Sequence, residues 1–185
     1  MLDVRQTRLP EVLVLKPRVH GDERGSFMES WNQGVFDQAL GQPVRFVQDN
    51  QSRSRRGVLR GLHYQLRQPQ GKLTRCVAGR ICDVAVDLRR SSPRLGQWVG
   101  VELSADNGRQ LWIPPGFGHG FLVLSEQADV LYKASAYYAG DDDHALAWNA
   151  PELGIAWPLV ELGGPPVLSP RDAAAPGWNQ ARLFD

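Results

Sequence analysis

Apolar and polar residues alternate along much of this chain in short runs that end at turn-forming residues. Leu73 to Ala78 leads into Gly79-Arg80, and Ile81 to Leu88 follows. In that second run Cys82, Val84, Val86 and Leu88 share one face of a strand, and Asp83 and Asp87 share the other. Residues 97 to 103 predict another strand, followed by a turn at Asp106-Asn107-Gly108. Leu111-Trp112-Ile113 and Gly120 to Leu124 flank a Pro-Pro-Gly loop. Asp129 to Tyr138 predicts a long strand on which Val130, Tyr132, Ala134, Ala136 and Tyr138 point one way. Helical spacing occurs at residues 33 to 40, where Val35, Phe36, Ala39 and Leu40 form an apolar stripe between an Asn32 N-cap and a Gly41 stop. After Trp157 the chain is rich in Pro and Gly, which predicts an irregular tail over the body. Many short strands with one or a few short helices predict an all-β fold, best a double-sheet jelly roll.

Composition narrows this little. With 185 residues, 42% hydrophobic and 22% charged, the chain suits a single domain over 1–185. A net charge of +1 favours neither nucleic acid nor an anionic membrane as partner. No apolar run approaches the roughly 20 residues that span a bilayer, and Met1 to Gln6 lacks a signal-peptide core, so a cytoplasmic location is expected. Cys76 and Cys82 flank the expected turn at Gly79-Arg80 and would lie near each other across a hairpin. A reducing compartment keeps them as free thiols, and neither has metal-site spacing.

Chemistry concentrates in one region. Gly57 to Gln65 carries Arg60, Gly61 and His63 within one strand-like element, preceded by the amide- and hydroxyl-rich run Phe46 to Ser52 and followed by Gln70-Gly71-Lys72-Leu73. Polar groups packed this closely among apolar residues predict a pocket that does chemistry. An unbroken strand would turn Arg60 and His63 to opposite faces. If both serve one pocket the register must break, and Gly61 is the place where that is easiest.

These residues carry a resemblance. Asp22 to Glu29, Gln48-Asp49-Asn50, Arg60 to Gln65, Gly71-Lys72-Leu73, Asp83 to Arg89, Ser92-Pro93, Ile113 to Phe121, Leu131-Tyr132-Lys133, Gly154 to Pro158 and Leu168 to Asp172 occur in this order. The chain resembles the dTDP-4-dehydrorhamnose 3,5-epimerases, the epimerase branch of the cupins, nearly end to end. The resemblance implies a cupin jelly roll whose N-terminal strands and C-terminal tail pack on the barrel or are exchanged in a homodimer. It implies a dTDP-sugar substrate inverted at C3 and C5 beside its C4 ketone, with no metal and no cofactor.

The same resemblance implies the roles. His63 is the base, paired with Asp172; Lys72 stabilises the enolate with Arg60 or His119 in support; Tyr132 is the acid. Arg24, Glu29, Gln48, Asn50, Arg60, His119, Tyr138, Asp143 and Arg171 bind the substrate. Each residue type suits its role. Imidazole is neutral enough at pH 7 to accept a proton, a phenol is protonated, and a guanidinium fork matches phosphate. Taken alone, His63 reads first as a strand histidine and Lys72 as a solvated lysine, and Tyr132 reads equally well as a core aromatic. Asp143 stands where Glu is common in the family, and Arg171 where Lys is common. His20 and His144 match no catalytic position. A metal-dependent cupin would need a second histidine near His63, where Tyr64 and Gln65 stand instead. A non-catalytic binding module would lack the base or acid. A relative that inverts one carbon, or a ketoisomerase, stays open.

Overall fold

Two antiparallel sheets face each other in the computed structural model, which describes residues 2–185. The strands are β1 (Asp3–Gln6), β2 (Leu13–Lys16), β3 (Val19–Asp22) and β4 (Gly25–Met28), then helix α1 (Gln33–Leu40). There follow β5 (Gln48–Arg55), β6 (Leu59–Gln65), β7 (Lys72–Ala78), β8 (Arg80–Asp87), β9 (Trp98–Ser104) and β10 (Gln110–Ile113). Next come β11 (Phe117–Val123), β12 (Gln127–Ala134) and β13 (Asp143–Ala145), then short helices α2 (Leu159–Leu162) and α3 (Pro170–Ala173). One sheet has the order β1-β2-β10-β7-β12-β5 and the other β13-β6-β11-β8-β9, while β3 and β4 form a separate two-stranded ribbon. This is the jelly roll expected of the strand pattern.

The inward faces of both sheets make one core from Cys76, Leu111 and Val130 on one side and Ile81, Ala85, Phe117, Phe121 and Val123 on the other. The outer face of the five-stranded sheet is covered by the C-terminal segment, where Leu59, Leu62, Val84, Val86 and Leu122 meet Leu146, Leu153 and Trp157. On the outer face of the six-stranded sheet, α1 lays Phe36 over Leu15, Leu73 and Trp112. Strands covered on both sides read as continuous apolar runs, which explains β11, whose residues are all buried.

The helix forms as expected: Asn32 accepts from the Val35 amide, and Gly41 closes the helix in the left-handed region at φ 71°. Three expectations need correction. Residues 73 to 88 make no hairpin, because β7 and β8 belong to different sheets. The chain turns the corner at Gly79, where a Cβ would meet the Gln127 carbonyl oxygen at 2.0 Å. Cys76 therefore faces the core between the sheets, while Cys82 packs on the opposite side of the five-stranded sheet. The strand expected to run to Tyr138 stops at Ala134, because Ser135 turns its hydroxyl to the neighbouring loop, where it accepts from the Gly71 amide. The tail after Trp157 is not irregular throughout but holds α2, α3 and a 3-10 turn at Trp178–Gln180.

The break of register at Gly61 is present. Along the β6–β11 ladder His63 opposes His119 and Arg60 opposes Phe121, with a shift between His119 and Phe121. It brings two backbones together: a Cβ on Gly61 would lie 2.5 Å from the His119 carbonyl oxygen, and one on Gly120 would lie 2.6 Å from that of Arg60. Gly120→Ala is accordingly expected to lower stability by about 3 kcal/mol, a severe overpacking change. A denaturant-midpoint shift worth less than about 1 kcal/mol would show that the strands part freely.

Candidate active site

The shift at Gly61 turns Arg60 and His63 to the same face of β6, with Arg60 exposed at its edge and His63 partly buried. Phe121, opposite Arg60, lies in the core between the sheets, and His119, opposite His63, shares its face. From the facing sheet, β7 and β12 send in Lys72, Thr74 and Tyr132 by the same alternation that places Cys76 and Val130 in that core.

His63 Nε2 donates to Asp172 Oδ1 at 2.6 Å, leaving Nδ1 as the nitrogen that can take a proton. Asp172 is supplied by α3. Ser169 caps that helix, accepting from the Asp172 amide at 3.0 Å and donating its hydroxyl to Asp172 Oδ2 at 2.7 Å. Both carboxylate oxygens are thereby occupied, and the carboxylate is aimed at the ring. Burial lowers the His63 pKa, and the Asp172 charge opposes that shift. The net direction keeps the imidazole in its proton-accepting form at neutral pH.

Lys72 is buried, and no side-chain hydrogen bond or ion pair holds it among the described residues. Burial pulls its pKa down to about 8, with Asp143 and Asp83 pulling the other way. Its ammonium lies 5.9 Å from the centre of the Tyr132 ring. The Tyr132 pKa is raised by burial and by Asp143, so the phenol is protonated at neutral pH. His119, whose ring centre is 6.4 Å from that of Tyr132, gives its Nε2 proton to the buried Asp83 Oδ1 at 2.7 Å.

At the rim, Arg60 donates to Ser54 Oγ at 3.0 Å. Gln48 donates to Asn50 at 2.9 Å and accepts from the Tyr138 amide at 2.9 Å. Asp143 accepts from Arg171 at 2.5 Å and from the Tyr138 hydroxyl at 3.1 Å. Burial raises the Asp143 pKa, but Arg171 holds the net shift downward. The arrangement offers a neutral imidazole, a buried ammonium and a protonated phenol around one interior, which is what proton transfer beside a carbonyl requires.

Two expected binding residues lie elsewhere. Arg24, on the β3–β4 ribbon, is exposed and paired with its neighbour Asp22, and the hollow beside it is lined by ribbon residues alone. Glu29 lies just past β4 and faces a cleft shared with Trp31 and Val35. Sequence reasoning gave no role to Asp83 or Ser169. Asp83 was visible as the polar side of an alternating strand, and its burial inside the barrel reverses the usual reading of such a side. Ser169 had the serine-to-aspartate spacing of a helix cap.

Comparison with known proteins identifies the family and the fold. The family model described as dTDP-4-dehydrorhamnose 3,5-epimerase matches residues 6–180. A dTDP-4-dehydrorhamnose 3,5-epimerase of Pseudomonas aeruginosa is 55% identical over 98% of this chain and 99% of its own length. One of Salmonella typhimurium is 54% identical over 100% of both. A crystal structure of a dTDP-6-deoxy-D-glucose-3,5-epimerase from Legionella pneumophila, in complex with dTDP-4-keto-L-rhamnose, superposes with a TM-score of 0.95. It shares 48% identity, over 100% of this chain and 98% of that one.

A buried ammonium without a carboxylate partner is a stability liability. A pKa moved from 10.5 to about 8 corresponds to about 3 kcal/mol against folding. That penalty is complete below pH 8, shrinks between 8 and 10.5 as the folded-state lysine is already neutral, and is absent above. Lys72→Met is expected to stabilise the protein by about 1–3 kcal/mol at pH 7 and to remove the rise in stability between pH 8 and 10.5. Denaturation at several pH values checks both.

Proposed function

The chain belongs to the dTDP-4-dehydrorhamnose 3,5-epimerase family, and on that premise we propose that it inverts C3 and C5 of dTDP-4-dehydro-6-deoxy-D-glucose to give dTDP-4-dehydro-L-rhamnose. It is an isomerase of L-rhamnose precursor synthesis, working as one cupin domain. The reading is carried by a single observation: the His63–Asp172 couple, Lys72 and Tyr132 open on the same interior of the barrel.

Both carbons flank the C4 ketone, so one donor set serves both inversions. His63 Nδ1 takes the proton from the ring carbon, and Asp172 steadies the imidazolium that forms. Electrons from the C–H bond move onto the C4 oxygen, where the Lys72 ammonium meets the developing charge, with Arg60 or His119 in support. A preorganised donor of this kind is typically worth about 3 kcal/mol in the transition state. Tyr132 then protonates the carbon on the opposite face. Gln48, Asn50, Arg60, His119, Tyr138, Asp143 and Arg171 hold the nucleotide and sugar. No metal or other cofactor enters this chemistry.

A homodimer belongs to the same proposal. The β3–β4 ribbon stands apart from both sheets with Phe27 73% exposed. Trp31 Nε1, beside the ribbon, is buried with no hydrogen-bond partner among the described residues. A second copy covering this face would bury Phe27 and give Arg24 and Glu29 a site to serve. No helix among the described residues is long and apolar enough to cross a membrane. Cys76 and Cys82, held apart on different sheets, suit the reducing cytoplasm.

With the 4-keto sugar nucleotide in heavy water, His63→Ala is expected to lose exchange at both carbons by roughly a thousandfold. Tyr132→Phe should keep C–H exchange but lose correct inversion, read by proton NMR. Near-normal turnover in His63→Ala would overturn the mechanism. Phe27→Asp is expected to sediment as a monomer and to raise KM more than it lowers kcat, whereas a wild-type protein that sediments as a monomer would remove the dimer.

A further inference from the structure

Between β12 and the 3-10 turn at Gly140–Asp142 the chain is irregular, yet side chains fix its backbone. Gln70 Nε2 donates to the Ala136 carbonyl at 2.9 Å, and Gln65 Nε2 donates to the Tyr137 carbonyl at 3.2 Å. The Tyr138 amide donates to Gln48 Oε1 at 2.9 Å, and the Ala139 amide donates to Gln65 Oε1 at 3.0 Å. Gln65 therefore grips the chain on both sides of Tyr138. It is buried, at 3% exposure, and lies on β6 just beyond His63. Its amide nitrogen also donates to the Gln68 carbonyl at 2.8 Å, which ties the gripping group to β6's own loop.

The residue held in this way is no core residue. Tyr138 is 58% exposed. Its hydroxyl donates to Asp143 Oδ2 at 3.1 Å, and Asp143 stands directly opposite Gln65 on the β6–β13 ladder. The ring lies against Gly140, where an added Cβ would sit 3.5 Å from its Cε1. Fixing an exposed side chain costs conformational entropy and gains little burial in return. The arrangement makes sense as preorganisation, in which the ordering cost of binding is met during folding.

We infer that Gln65 is a positioning residue for the nucleotide, setting the Tyr138 ring in its binding orientation before the substrate arrives. The inference rests on the epimerase reading, in which Tyr138 binds the dTDP-sugar. Gln65 acts through the backbone on either side of Tyr138 and not by touching the substrate. One strand then carries both the base and the group that sets the nucleotide-binding ring, so β6 fixes where the sugar falls relative to His63. The chemical steps belong to His63, Lys72 and Tyr132, so a loosened ring weakens binding more than it slows turnover.

The test titrates full-length protein with dTDP alone and follows turnover of dTDP-4-keto-6-deoxyglucose. Gln65→Met is close in size and removes both bonds to the loop. It is expected to weaken dTDP binding about tenfold, and to raise KM by a similar factor with kcat within about twofold of wild type. Tyr138→Ala separates positioning from general loosening. In that background Gln65→Met should change dTDP affinity by less than about twofold, because the ring it sets is gone. A purely structural role would cost the same in both backgrounds. If Gln65→Met does not fold, Gln65→Asn keeps the amide but is too short to reach both sides of Tyr138, and the same dependence on Tyr138 is expected. Unchanged dTDP affinity in the single variant, an equal loss with and without the Tyr138 ring, or a fall in kcat at constant KM would overturn the inference. A wild-type protein that binds dTDP but exchanges neither C3 nor C5 would overturn the epimerase reading instead, and the binding cycle would still decide the role of Gln65.

Discussion

Everything at the site depends on how closely the backbones of Gly61 and Gly120 approach. Their contact absorbs one residue of mismatch between β6 and β11. A strand in strict register would deliver Arg60 or His63 to the interior but never both. With the mismatch, a guanidinium and an imidazole stand on the same wall, and His63 comes opposite His119. Side chains at these two glycines would push the strands apart at the point where this wall of the candidate site is made.

The second organising effect is desolvation. The interior between the sheets is apolar, so each polar group admitted to it is perturbed in a useful direction. Burial keeps the His63 imidazole able to accept a proton, brings the Lys72 ammonium down to about 8, and keeps the Tyr132 phenol protonated. Carboxylates oppose the shifts at His63 and Lys72 without reversing them, and Asp143 adds to the one at Tyr132. Asp143 acts on all three groups from the rim and is itself held by Arg171. The site is thus an apolar barrel with a few polar intrusions, and the stability lost at each intrusion is what makes it reactive.

Local signals in the chain revealed much of this. The helix at 33–40 was readable because its cap, stripe and stop are all local. The break at Gly61 was readable because two functional residues three apart conflict with a period of two. Other features depend on distant partners. β5 was not recognisable as a strand, because Ser52 and Ser54 point inward and Gln51 and Arg53 outward, so its polarity does not alternate. The crossing from one sheet to the other at Gly79 looks, locally, like a hairpin turn. Tyr138 reaches Asp143 by a loop pinned by Gln48 and not by the strand period. Arg24 and Glu29 lie off the candidate site of their own chain, a placement that no local pattern encodes.

The pairing of His63 with Asp172 joins residues 109 positions apart, across the segment that wraps the outer face of the five-stranded sheet. During vectorial synthesis all thirteen strands leave the ribosome before this carboxylate does. A nascent barrel therefore holds its imidazole without the group that orients it. On the proposed mechanism, competence to deprotonate the sugar arrives only once the segment that carries Asp172 folds back over the barrel.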